Sequence, residues 1–221
     1  MHDSVENLLN ISEKVKAKFS ADTNFHTIPK IIAVSKTFKI EHILPVIQQG
    51  HLHFGENKVQ EASVKWKSIK VQNKNLQLHM IGKLQSNKAK DAVNLFDFIH
   101  SLDNQKLADI LSKYEINLNK HLKYFIQVNI ANEIQKSGVP LNELDQFYNY
   151  CVYEKKLNVI GLMIIPHNDS NSEKYFKTLN ELNRSLGLKE LSMGMSADYK
   201  IAVENGATFV RIGSSIFGSR S

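Results

Sequence analysis

Residues 30–50 read KIIAVSKTFKIEHILPVIQQG. Residues 30–36 form an apolar, β-branched run of strand length, and residues 40–49 carry apolar positions at helical spacing up to the helix-stopping Gly50. The same pair of segments recurs along the chain. Strand-like runs at 51–56, 76–84, 98–102, 123–130, 159–165, 190–195 and 208–212 alternate with amphipathic stretches at 58–69, 86–94, 104–114, 141–154, 173–186 and 198–204. A leading helix over 3–19 is expected from Val5, Leu8, Ile11, Val15 and Phe19. Strand and helix in strict alternation imply parallel strands joined by crossover helices. Eight such strands close a (β/α)8 TIM barrel, compact here beside the usual size of about 250 residues. An open doubly wound sheet is the alternative, but no G-x-G-x-x-G turn follows the first strand.

The remaining composition narrows the class. The 221 residues, 42% of them hydrophobic, fit one domain spanning 1–221, and no linker or composition shift divides them. No run approaches the roughly 20 apolar residues that span a bilayer. The first ten residues, MHDSVENLLN, are polar and acidic and do not read as a leader, and Cys151 is the single cysteine. A cytoplasmic, soluble protein is the expectation. The net charge of +6 is spread along the chain, its arginines are only Arg184, Arg211 and Arg220, and no basic run is interleaved with aromatics. Nucleic acid is therefore not expected as a partner.

Active sites of such barrels lie at the C-terminal ends of the strands. Lys36 ends the first strand-like run and shares a face with Ile32 and Val34. An inward lysine there is costly unless neutral or paired, and desolvation makes its amine a nucleophile for carbonyls. The alternative is a strand-end lysine reaching for water. Arg211, in the last strand, shares a face with Phe209 and Gly213; it has either a specific acceptor or an internal carboxylate partner. Ile212-Gly213-Ser214-Ser215 and, after the seventh strand, Ser192-Met193-Gly194-Met195-Ser196 offer small residues and hydroxyls where barrels often bind phosphate. His51 and His53 lack a third residue at metal-ligand spacing, so no zinc site is expected. Met163, Met193 and Met195 read as core packing, with Met163 also placed to touch a ligand ring.

These segments make the sequence recognisable. The stretches 33–37 (AVSKT), 54–61 (FGENKVQE), 79–88 (HMIGKLQSNK), 136–138 (KSG), 161–163 (GLM), 191–198 (LSMGMSAD) and 210–220 (VRIGSSIFGSR) resemble, in order, the pyridoxal phosphate homeostasis protein family, small barrels akin to the N-terminal domain of alanine racemase. Lys83 stands where many members have proline, and Ser214 where threonine is common. The resemblance implies covalent pyridoxal 5′-phosphate on Lys36 as an aldimine, Arg211 facing the pyridine nitrogen, Ser196, Gly213 and Ser214 on the phosphate, and Asn57 near the ring. A non-catalytic carrier that buffers the cofactor is the leading expectation, with cofactor-dependent apoenzymes as recipients and a monomeric chain. An arginine at the ring nitrogen weakens the electron sink that a protonated nitrogen supplies. Racemisation also needs a second acid/base, which racemases take from a further domain and which is not expected in a chain ending at Ser221. A weakly active amino-acid racemase is the alternative, and a sugar-phosphate enzyme using Lys36 is a third.

Overall fold

The computed structural model describes residues 2–22, 27–130, 137–166 and 171–218; Lys136 and Arg220 of the quoted motifs lie outside them. Nine strands occur in it: β1 (Lys30–Val34), β2 (His53–Glu56), β3 (Gln77–Met80), β4 (Phe98–Leu102), β5 (Lys123–Asn129), β6 (Val139–Pro140), β7 (Val159–Met163), β8 (Glu190–Met195) and β9 (Phe209–Ile212). All but β6 form the ring. Parallel pairing runs β4-β3-β2-β1-β9-β8-β7-β5 and closes through β4–β5, so the eight-stranded barrel read from the alternation is the one observed. The two residues of β6 merely extend β5 on the outside of this order.

Helices α2 (Ile40–Gln48), α3 (Val59–Gln72), α4 (Ala89–Leu95), α5 (Gln105–Leu118), α6 (Leu144–Asn149), α7 (Ser172–Ser185) and α8 (Tyr199–Glu204) form the crossovers. The long leading helix α1 (Asp3–Asp22) lies across α8 and the short α9 (Ser214–Phe217). Val5, Leu8, Ile11 and Val15 are buried on its inner stripe, and Asn7 Nδ2 donates to Ile216 O at 3.2 Å. The segment read as one helix over 141–154 is a 3₁₀ turn (Leu141–Glu143), then α6, then a π-helical turn (Tyr150–Glu154).

Burial separates into two layers. A large cluster fills the space between strands and helices, while Ile32, Val34, Ile81, Phe98, Phe125, Met163 and Phe209 pack inside the ring. Strands buried on both faces explain the near-continuous apolar runs in the sequence. The period-two alternation then decides which residue points inward. Met193 is fully buried as expected of core packing, but Met195 at the end of β8 is 37% exposed, because it leaves the barrel wall for the loop.

Candidate functional site

The C-terminal rim gathers the residues singled out in sequence. β1 pairs with β9 in a register that sets Ile32 opposite Arg211 and Ala33 opposite Ile212. Lys36 therefore follows the strand end beside the loop that starts at Gly213, and it is half-buried. A Cβ on Gly213 would stand 3.3 Å from both Cβ and O of Val34, so the two strand ends approach as closely as a glycine permits.

Lys36 is held by its neighbours. Ser35 Oγ donates to Glu56 Oε1 at 2.7 Å, and Lys65 Nζ donates to Ser35 O at 2.8 Å. On the other side, Thr37 N donates to Glu61 Oε1 at 2.6 Å. Lys65 joins the two carboxylates, 2.9 Å from Glu56 and 3.1 Å from Glu61. Burial raises the Glu61 carboxyl, but the Thr37 amide and Lys65 outweigh it and its pKa falls. Thr37 sits at φ 68°, a left-handed conformation that a β-branched residue rarely adopts. Strain of this kind persists where surroundings fix it, and it is common at ligand clamps. The motif containing Glu56 and Glu61 thus braces the backbone on both sides of the lysine.

Arg211 is 4% exposed and lines the inside of the ring. Its Nη1 donates to Ser192 Oγ and its Nη2 to Ile164 O, each at 2.7 Å. Neither acceptor is a carboxylate, so the internal ion pair considered from sequence is not how the guanidinium is held. Burial pulls its pKa down to about 10, opposed by Asp198, which leaves it charged at neutral pH.

Across the rim, Ser214 Oγ donates to Ser196 Oγ at 3.2 Å, linking the loops after β8 and β9. Ser214 opens α9, whose first-turn amides are of the kind that helices leave without internal acceptors. Asn57 follows β2, and its buried Oδ1 has no hydrogen-bond partner among the described residues. A Cβ on Gly82 would lie 2.5 Å from Asn57 O, so the Ile81-Gly82 segment backs Asn57 directly. Met163 packs in the inner cluster, one residue before the carbonyl that receives Arg211. Register and contacts bring Lys36, Arg211, Gly213, Ser196 and Ser214 to neighbouring strand ends β1, β8 and β9. Asn57 follows β2 and Met163 ends β7, one strand further out on either side.

Sequence reasoning missed what lies beneath. His79 and His100 are fully buried within the ring, and their side chains connect His53 with Ser192. The signal was available: Leu78 and Met80 flank His79, and Ile99 flanks His100, so both histidines occupy the inward phase of their strands.

Comparison with known proteins agrees with this architecture. The family model described as alanine racemase, N-terminal domain, matches residues 14–221. A pyridoxal phosphate homeostasis protein of Aquifex aeolicus is 35% identical over 227 residues, covering 99% of each chain. Its namesake from Haemophilus influenzae is 36% identical, covering 97% of this chain and 95% of its own. The solved structure of PipY from Synechococcus elongatus PCC7942, described with PLP bound, superposes with a TM-score of 0.81 at 32% identity, covering 94% of this chain and all of that one. The chain belongs to the alanine racemase N-terminal domain family and, within it, to the pyridoxal phosphate homeostasis proteins.

Proposed function

We propose that this chain holds pyridoxal 5′-phosphate at the C-terminal rim of its barrel and acts as a carrier or buffer of the cofactor. The carrying observation is the convergence of a braced, half-buried Lys36 and a buried, charged Arg211 on strands that barrel closure makes neighbours. The residues present suit the group. Its aldehyde, phosphate and pyridine ring require an amine, a cluster of donors and a partner for the ring nitrogen. On this reading Lys36 would supply the amine that condenses with the aldehyde carbon, releasing its oxygen as water. Ser196, Ser214 and the Gly213 backbone take the phosphate. Asn57, whose buried amide oxygen has no partner among the described residues, and Met163 would lie beside the ring. Arg211 would be the partner of the ring nitrogen.

When bound, the cofactor supplies an electrophilic carbon and, with its ring nitrogen protonated, an electron sink. A guanidinium still charged at neutral pH opposes that protonation, and this supports holding the cofactor over turning substrate over. The names of the two relatives and the ligand described for PipY agree with this reading. Residues 1–221 act on it as one cofactor-binding unit, a cytoplasmic monomer delivering to apoenzymes. No helix among the described residues is long and apolar enough to cross a membrane.

An absorption spectrum tests the proposal. The purified chain mixed with pyridoxal phosphate is expected to gain a visible band that Lys36→Ala does not gain. Equal spectra for the two proteins would remove Lys36 from the site. Rapid loss of optical activity from an amino acid, abolished in Lys36→Ala, would overturn the carrier role.

A further inference from the structure

Through the barrel interior runs an unbroken hydrogen-bonded line of side chains. His53 Nδ1 lies 3.0 Å from His79 Nε2, His79 Nδ1 lies 2.9 Å from His100 Nε2, and His100 Nδ1 lies 2.8 Å from Ser192 Oγ. Ser192 Oγ accepts from Arg211. His79, His100 and Ser192 are fully buried. His79 stacks on Phe98 with ring centroids 4.2 Å apart, and His100 stacks on Phe125 at 4.3 Å, so the ring planes are fixed. The line begins at the N-terminal end of the barrel, where Lys30 and Lys123 border a cavity of about 310 Å³ together with Lys189 and Glu190. It finishes at the arginine of the proposed cofactor site.

Donor and acceptor counting gives the line a direction. Arginine only donates, so Ser192 Oγ is the acceptor of that bond. A neutral imidazole has one N–H and one lone pair, which leaves two self-consistent orders for the histidines. In the first, the Ser192 hydroxyl donates to His100 Nδ1, His100 Nε2–H to His79 Nδ1, and His79 Nε2–H to His53 Nδ1. Every buried group then has a partner. In the reverse order Ser192 accepts twice, and its own proton is left without an acceptor among the described residues. Such a stranded buried donor is costly, because its hydrogen bond to water is lost and nothing replaces it. The rings are neutral, since burial, then the neighbouring cations and imidazoles, holds all three histidines below their ordinary pKa.

We propose that Ser192, His100, His79 and His53 are positioning residues for Arg211. The histidines turn the Ser192 hydroxyl away from the guanidinium, so that a lone pair faces it, and the Ile164 carbonyl fixes its second nitrogen. The guanidinium is thereby aimed from the far end of the barrel, through groups that never touch the ligand. This rests on the cofactor reading above, and its test separates the two.

Nitrogen-15 NMR of the histidine rings in the ligand-free, full-length chain at pH 7 reads the order directly. Neutral rings protonated at Nε2 in His53, His79 and His100 are expected; protonation at Nδ1 in His79 and His100 would overturn the proposal. With pyridoxal phosphate as probe, Ser192→Ala is expected to keep the visible band but move its maximum, and to weaken loading about tenfold. Ser192→Thr restores both, and His53→Ala, at the half-buried end where folding is least at risk, shifts the band in the same sense. A band and affinity unchanged in Ser192→Ala and His53→Ala would overturn the positioning role while leaving the cofactor site standing. A wild-type chain that takes up no pyridoxal phosphate would overturn the site, and the positioning role with it, whatever the tautomers show.

Discussion

Glu56 gathers three donors on one oxygen: the Ser35 hydroxyl, the Lys65 ammonium and, at 2.9 Å, the Trp66 indole. It is fully buried, as is Trp66, so its charge is tolerated only because those partners are present. Glu56→Gln removes the charge that Lys65 faces and loosens Ser35, the residue before Lys36. We expect a loss of about 3 kcal/mol in unfolding free energy, read from the fluorescence of Trp66, the single tryptophan, in a denaturant titration. A loss below about 1 kcal/mol would show that the brace is not energetically coupled to the fold. Glu56 was legible in sequence as part of a motif. Its partner Lys65 was not, because on an amphipathic helix a lysine reads as solvated surface until the register between α3 and β2 is known.

At the scale of elements, the closeness of β7 and β8 hangs on Gly161. A Cβ there would come 1.9 Å from Glu190 O and 2.6 Å from Glu190 C, contacts that only separation of the two strands relieves. Gly161→Ala is expected to destabilise the protein by about 3 kcal/mol, visible as a lowered midpoint in far-ultraviolet denaturation. A wild-type midpoint would mean that the strands part at no cost. The alternation of elements was plain in the sequence, since parallel strands covered on both faces are apolar throughout. Phe98–Leu102 and Glu190–Met195 match their expected bounds. The strand-like run at 76–84 outlasts the strand because Ile81 and Leu84, beyond Met80, are apolar yet serve the rim loop: Ile81 packs into the barrel mouth and Leu84 into the outer core. The π-helical turn at Tyr150–Glu154 and the four-residue α9 carry no periodicity long enough to be seen.

For the whole molecule, the interior of the ring sets the response to pH. Burial lowers the pKa of His51, of His53 to about 4, and of His79 and His100 well below the usual 6.5. A depressed folded-state value means that the unfolded chain takes up protons first. The stability is complete above about pH 6.5 and drains as pH falls from there toward the folded-state values. A ring that stays neutral while its unfolded counterpart takes up a proton contributes up to about 1.4 kcal/mol per pH unit, and His51, His53, His79 and His100 all act in the same sense, so unfolding free energy should drop by several kcal/mol between pH 7 and pH 5. Denaturation curves that coincide at those two pH values would contradict neutral histidines in the core. Spacing shows the inward phase of His79 and His100 but not that they meet. His53, His79 and His100 are distant in the chain, and only ring closure brings them into line, just as it brings Arg211 beside the strand of Lys36. If the cofactor sits at that juxtaposition, borohydride reduction of the chain loaded with pyridoxal phosphate, followed by peptide mass mapping, is the decisive measurement. One reduced pyridoxyl group on the peptide containing Lys36 is expected, whereas a label elsewhere, or none, would rule Lys36 out as the residue that holds the cofactor.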